Sequence, residues 1–235
     1  MNTEDLSYSH NGTTMLGRFF APEGGESLPA VMVIHGAHGL NGFILGVSET
    51  LAAQGYAVLA LDLWGGREQL ADPAEIGPRL GAMASDRGEW MARVEAARRA
   101  LAAQPQVDPG RIGALGYCFG GTTVLEYLRT GGAIAAGVSL HGGLDMVADD
   151  WSAAAAPALI CTGDRDPMAK STDVERLTNA MTDAGMTWEL HLYGGVRHAF
   201  TEPDAPGRPP FARYDARADR RSWAAMSAFF QETLA

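Results

Sequence analysis

Short continuous apolar runs alternate along this chain with longer stretches in which apolar positions recur at helical spacing. Runs such as "AVMVIHG", "YAVLALDLWGG", "RIGALGY", "IAAGVSLHGG", "APALICTGDRDP" and "TWELHLYGG" suit strands, and "AVMVIHG", continuous and ending in glycine, suits a buried parallel one. Between them, Phe43–Gln54 reads as a helix closed by Gly55. In "DRGEWMARVEAARRALAAQ", Trp90, Val94, Ala97 and Leu101 share one face, and Asp86 stands near the start. Helices are also expected at "TTVLEYLRTG" and at "STDVERLTNAMTDAG", the latter with Ser171 as cap and Gly185 as stop. The closing helix, "YDARADRRSWAAMSAFFQETL", should turn Trp223, Met226, Phe229 and Phe230 inward. Ahead of all these, Asp5–Ser9 and Thr14–Phe20 flank "HNG", where Asn11-Gly12 predicts a hairpin. Arg67–Ser85 is rich in Gly, Pro and charge without a clean period and reads as an excursion over the sheet; Glu202–Pro210 reads as a loop. Strands alternating with helices give a single α/β domain over residues 1–235, a mostly parallel sheet with helices on both faces.

Charge and cysteine usage narrow the function. A net charge of −10 argues against nucleic acid and anionic membrane surfaces as partners. No apolar run reaches membrane-spanning length. "MNTEDLSYSHNG" lacks the basic and apolar regions of a secretory signal, so a cytoplasmic location is expected. The two cysteines, Cys118 and Cys161, give no disulfide framework and no structural zinc site.

The chemistry centres on "IGALGYCFGG". In a doubly wound sheet, ligands sit at the carboxyl ends of the strands, where Cys118 stands. Gly-x-Cys-x-Gly has the form of a nucleophile elbow with sulfur in place of the serine oxygen. The sharp strand-to-helix turn leaves no room for side chains two residues either side, and Gly116 and Gly120 meet that need, with Gly121 adding space. The following helix aims its amide dipoles at the sulfur and favours thiolate. A cysteine filling a tight strand–helix packing point is the other reading. No G-x-G-x-x-G follows the first long strand, which argues against a dinucleotide site.

An elbow enzyme needs an acid and then a histidine later in the chain. "CTGDRDP" supplies Asp164 and Asp166, and "YGGVRHAF" supplies His198. Asp166 is the preferred acid, being deeper in the loop with Pro167 fixing the chain after it; Asp164 is the alternative, or a turn cap. His198 serves as general base. Oxyanion donors are expected from the backbone N–H groups of Phe119 and of Ala37, in "HGAHGLN". His35 and His38 have ligand-like spacing but no accompanying cluster, so no metal is expected, and they are assigned to lining the pocket and holding the loop. Cys161, mid-strand, reads as core.

With "GYCFGG", "HGAHGLN", "LDLWGGR", "TGDRDP", "HAFTEP" and "YDARADRRSWAAMSAFF" in this order, the chain resembles the dienelactone hydrolase family of α/β-hydrolases over nearly its whole length. The resemblance implies a single-domain α/β-hydrolase fold and a hydrolase without cofactor, with Cys118, Asp166 and His198 as triad. It also implies thiolate attack on a small ester or lactone and a thioester acyl-enzyme. Two positions depart from the family. Founding members carry a loop glutamate that contacts the resting thiol, and here the "GLN" anchor places Gly36 there. They carry an arginine for a substrate carboxylate four residues past the histidine, where this chain has Glu202. Dienelactone itself is therefore not implied as substrate, and without the glutamate the resting Cys118 is expected to pair with His198 as thiolate–imidazolium.

Trp64, Phe119, Phe200 and the excursion should supply a small pocket suited to short acyl esters or small lactones. Arg67 and Arg79 are candidates for holding an anionic group, or else for surface salt bridges. A thiol peroxidase or redox sensor competes as a reading but lacks a resolving cysteine. A binding protein that keeps the elbow without turnover is a third. A monomer or homodimer is expected.

Overall fold

The computed structural model describes residues 1–205 and 207–235; Pro206, in the stretch read as a loop, lies outside the described residues. Eight strands form one sheet in the order β1-β2-β4-β3-β5-β6-β7-β8. In chain order they are β1 (Asn2–His10), β2 (Thr13–Ala21), β3 (Leu28–Ile34), β4 (Ala57–Leu61), β5 (Val107–Tyr117), β6 (Ala136–Leu140), β7 (Ala158–Gly163) and β8 (Trp188–Tyr193). The helices are α1 (Gly42–Ala53), α2 (Pro73–Ser85), α3 (Arg87–Ala102), α4 (Phe119–Arg129), α5 (Ser171–Asp183) and α6 (Ala216–Thr233). None is long and apolar enough to cross a membrane, among the described residues. Packing divides the chain into two compact units, Met1–Ala114 with Leu234 and Leu115–Thr233 with Ala235.

In the first unit, β1 and β2 pair antiparallel from Asn2↔Ala21 to His10↔Thr13. Asn11 and Gly12 both take positive φ (44° and 78°), the paired left-handed conformation of a tight two-residue hairpin turn. β3 and β4 pair parallel, and every residue of β4 is buried, which is why its sequence shows no alternation. α1 starts where the Asn41 side chain accepts from the Ile44 N–H at 3.2 Å. α3 starts where Asp86 accepts from the Glu89 N–H at 2.9 Å, and it buries Trp90, Val94, Ala97 and Leu101.

One expectation here is corrected. The excursion at Arg67–Ser85 contains a full helix, α2. Asp72 caps it by accepting from the Ala74 N–H at 2.9 Å, and Pro73 occupies its first turn, where a missing N–H costs nothing. Only Met83 is buried along it, so no apolar period marks the helix, and Pro78 in its interior reads as a breaker.

In the second unit, β6–β7 and β7–β8 pair parallel. α4 is buried from Phe119 through Leu128, a central helix with no solvent face over those residues. The cap of α5 is Lys170 rather than Ser171: the Lys170 N–H donates to the Asp173 carboxylate at 3.2 Å, so the acid inside the first turn reaches back. Gly185 (φ 70°) follows that helix. α6 buries Ala218, Ser222, Met226, Phe229 and Phe230, whereas Trp223 is half-buried. The inward stripe passes through Ser222, one position earlier, and rotates Trp223 to its rim.

Candidate active site

β5 ends at Tyr117, and α4 begins at Phe119, leaving Cys118 alone to make the turn. Cys118 adopts φ 54° and ψ −120°, a conformation that a non-glycine residue takes only where its surroundings impose it. The glycine before it explains how the turn fits. A Cβ at Gly116 would lie 2.0 Å from the Gly120 carbonyl oxygen and 2.2 Å from its carbon, so any side chain there would collide with backbone. A Cβ at Gly121 would lie 2.7 Å from Ser139 Oγ and 3.0 Å from Gly142 Cα. The Cys118 carbonyl accepts from the N–H groups of Gly121 (2.9 Å) and Thr122 (3.2 Å), closing the first turn of α4. The thiol is left half-buried at the head of that helix.

The loop after β7 presents the acid. Asp166 Oδ1 accepts from the Met168 N–H at 2.9 Å, fixing the carboxylate within its own turn. Its Oδ2 faces His198 Nδ1 at 2.7 Å. Asp164 is turned elsewhere, accepting from the Gly195 N–H at 2.5 Å. Gly163, at the end of β7, has its Cα against Val196; a Cβ there would stand 2.2 Å from the Val196 carbonyl oxygen. That close approach sets the β7 and β8 loops side by side.

His198 follows β8 on a segment held by two backbone bonds: its N–H donates to the Phe211 carbonyl (3.1 Å), and its carbonyl accepts from the Arg213 N–H (3.0 Å). Nε2 then lies 3.2 Å from Cys118 Sγ. Asp166, His198 and Cys118 thus form a connected line, with the first two side chains almost wholly buried. Burial alone would pull the His198 pKa down. The charge of a Cys118 thiolate, followed by the hydrogen bond to Asp166, outweighs burial and pushes it up to about 10. Such an arrangement can deliver a thiolate nucleophile and an imidazolium acid side by side.

Two neighbours of this line carried no expectation from the sequence. His141 is fully buried, with Nδ1 accepting from the Cys118 N–H at 3.1 Å and Nε2 facing Thr201 Oγ1 at 2.8 Å. Phe211 lies tilted over His198 at 6.1 Å between ring centroids and is partly exposed. His141 had one sequence signal, its place after the apolar run "GVSL" at a strand's carboxyl end; Phe211 had none.

The other expected pocket residues are placed differently. Phe200 has no exposed surface; it packs edge-on against His141 and Tyr193 at 5.2 and 5.5 Å, as core. Phe119 is also buried. In the first unit, His35 is buried with both ring nitrogens engaged: Nδ1–H donates to the Gly36 carbonyl (2.7 Å) and Nε2 accepts from the Leu63 N–H (3.1 Å). Burial holds its pKa below the ordinary value. Those two bonds tie the segment at Gly36 to the segment at Leu63. His38 is exposed and donates to the Leu70 carbonyl at 2.9 Å. Trp64 is buried, its indole N–H on the Ala37 carbonyl at 3.2 Å.

Arg67 is built into the sheet edge. Its guanidinium donates to the carbonyls of Leu16 (2.7 Å) and Gly17 (2.6 Å) and to Asp5 (2.6 Å), because a residue at φ 57° turns that side chain back over β2. Arg79 pairs with Glu68 at 2.8 Å and stacks over Trp64. Both follow the salt-bridge reading. Cys161 is fully buried beside the Tyr193 hydroxyl, and burial pushes its thiol up to about 12. Glu202, at the position of the family's arginine, pairs with Arg208 at 3.3 Å. Among the described residues, no group of three or more His, Cys, Asp or Glu side chains is placed to hold a metal ion.

Comparison with known proteins identifies the chain's relatives. Among curated proteins, a probable 2-oxo-3-(5-oxofuran-2-ylidene)propanoate lactonase of Bradyrhizobium is 30% identical over 218 residues, 88% of this chain and 87% of that one. A carboxymethylenebutenolidase of Pseudomonas is 29% identical over 229 residues, 93% of each chain. Among solved structures, a dienelactone hydrolase-like promiscuous phosphotriesterase from metagenomic libraries superposes with a TM-score of 0.94 at 34% identity, covering 100% of this chain and 99% of that one. The family model described as the dienelactone hydrolase family matches residues 15–234, and this chain belongs to that family.

Proposed function

We propose that this protein hydrolyses small carboxylic esters or lactones with Cys118 as nucleophile, His198 as acid and base, and Asp166 as the group that orients the imidazole. One observation supports the reading above others: Asp166 Oδ2, His198 and Cys118 Sγ stand in line at 2.7 and 3.2 Å, with the sulfur on a strained turn at the head of α4. In this reading, Sγ attacks the substrate carbonyl carbon, and the negative charge that develops on its oxygen meets the Phe119 N–H. The carbon–oxygen bond to the leaving group breaks as His198 Nε2 gives that oxygen its proton. The thioester remaining on Cys118 is then attacked by water, whose proton goes back to Nε2, and the acid departs as the thiolate is restored. Asp166 keeps Nδ1–H in place throughout. The protein acts as a single α/β-hydrolase domain, monomer or homodimer, on a diffusible substrate in the cytoplasm.

The names of the Bradyrhizobium and Pseudomonas relatives, a lactonase and a carboxymethylenebutenolidase, favour lactone ring opening within this chemistry. A redox role for Cys118 would need a resolving partner, and the other cysteine is fully buried. The deciding experiment is hydrolysis of a chromogenic acetyl or butyryl ester and of a small butenolide, with Cys118→Ala beside the wild type. Turnover lost in the variant supports the proposal; turnover retained in it, or none in the wild type on the whole panel, refutes it. A phosphotriester belongs on the same panel, since one structural relative is described as a promiscuous phosphotriesterase.

A further inference from the structure

We propose that His141 is a positioning residue for the Cys118–His198 pair, joining the backbone of the nucleophile to the segment that carries the histidine. His141 stands one residue past β6, with no exposed surface and φ 41°. Its own N–H donates to the Cys161 carbonyl at 2.8 Å, anchoring it to the end of β7. The ring then makes two bonds in opposite directions. Nδ1 takes the Cys118 N–H, an amide shared with the Leu140 carbonyl at 3.1 Å. Since Nδ1 accepts from an amide it carries no proton, so the neutral ring has its hydrogen on Nε2 and donates it to Thr201 Oγ1. Thr201 is itself buried and lies three residues beyond His198.

The consequence is geometric. The distance from Cys118 Sγ to His198 Nε2 depends on two segments far apart in sequence, the turn at the head of α4 and the loop after β8. Backbone bonds tie each segment to its own surroundings; the His141 ring ties one to the other. It also meets the His198 ring edge-on, with centroids 5.3 Å apart at 70°. A phenylalanine or leucine could fill the same volume, but neither could bond at both ends. Neutrality matters as well, because a second cation this close would oppose the imidazolium of His198. Burial, and then the charge of His198, hold the His141 pKa well below its ordinary value, in keeping with a neutral ring.

The role rests on Cys118 being the nucleophile, so the test carries a readout that does not need turnover. Thr201→Val removes the acceptor while keeping the shape, and Thr201→Ser restores it. Kinetics on a short chromogenic ester, the rate at which iodoacetamide alkylates Cys118, and thermal midpoints are measured for both, with His141→Phe and His141→Asn alongside. Thr201→Val should lower kcat roughly ten- to a hundredfold, the scale of a misplacement of about 1 Å, with KM little changed. Thr201→Ser should recover most of that loss, and alkylation of Cys118 should slow in Thr201→Val. His141→Asn, whose amide oxygen can replace Nδ1, should retain more activity than His141→Phe. Wild-type kcat and alkylation rate in Thr201→Val overturn the proposal, as does a loss that Thr201→Ser fails to recover. Should His141→Phe not fold, the Thr201 pair decides. Should Cys118→Ala keep full turnover, the nucleophile assignment fails, while slowed alkylation in Thr201→Val would still support the link and an unchanged rate would overturn it.

Discussion

Asp166 and His198 meet through Oδ2 and Nδ1 at 2.7 Å, while Asp164, two residues earlier in the same loop, bonds the Gly195 amide instead. The two acids are therefore separable by mutation. Asp166→Asn should lower turnover by two or more decades, since an amide there no longer holds the imidazole in its working tautomer. Asp164→Asn should leave turnover near wild type and cost under about 1 kcal/mol of stability, since its amide oxygen can still accept from the Gly195 N–H. Steady-state kinetics and urea unfolding of both variants check this, and damage to turnover confined to Asp164→Asn would reverse the assignment.

The two thiols should differ sharply in reactivity. Cys118 is half-buried at a helix head beside His198, whereas Cys161 has no exposed surface and a thiol pushed up to about 12. Iodoacetamide at neutral pH should label Cys118 first and abolish hydrolysis in proportion. Peptide mapping that found Cys161 modified first, with hydrolysis intact, would contradict the assignment.

Most of the fold was legible because its signals are local. Buried parallel strands need continuous apolar runs, and Asn11-Gly12 and Gly55 sit where positive φ is required. The helix α2 was not legible: with only Met83 buried it has no stripe to display, and its cap at Asp72 is lost among prolines and glycines. The line of Cys118, Asp166 and His198 could be read from order and loop position alone, because an elbow constrains its neighbours tightly. Pocket residues could not. Whether Phe200 faces a pocket or the core depends on a single turn of backbone, here Ala199 at φ 53°, which no periodicity records. His141 escaped notice because its partners are a backbone amide and a hydroxyl, neither of which leaves a motif.

Gly116 is a sharp test of the elbow. Adding one methyl at that position sets it 2.0 Å from the Gly120 carbonyl oxygen, a backbone atom that cannot swing aside. Gly116→Ala should therefore destabilise the protein by more than about 3 kcal/mol or abolish folding, against about 1 kcal/mol for an ordinary substitution. Gly46→Ala is a useful control, as a Cβ there meets nothing within 4 Å and a helix interior favours alanine. Equal thermal midpoints for the two variants would show that the turn tolerates bulk.

Arg67 separates anchoring from substrate binding. Its guanidinium is committed to Asp5 and to the carbonyls of Leu16 and Gly17. Arg67→Ala should cost roughly 1.5–3 kcal/mol, the range for hydrogen bonds to charged groups. The ratio of kcat/KM between an anionic and a neutral ester should stay unchanged. A selective loss on the anionic ester would return Arg67 to the site.

His198 supplies the pH prediction. Burial lowers its pKa, yet the Cys118 thiolate first and the Asp166 hydrogen bond second raise it to about 10. A negative charge beside an imidazole favours its charged form, so removing either group should move the titration down. The imidazole signal of His198, followed by NMR in selectively labelled protein, should stay in the protonated position through pH 9 and titrate near 10. In Cys118→Ala and in Asp166→Asn the midpoint should fall, further in the first because the thiolate is the larger of the two contributions. In the proposed mechanism the same proton is handed to the leaving group, so acylation should decline as pH climbs through the His198 titration and the acid is lost. A wild-type midpoint near the ordinary value of about 6.5 would show that the resting site holds no thiolate–imidazolium pair. A midpoint near 10 that ignored Cys118→Ala would place the charge responsible elsewhere.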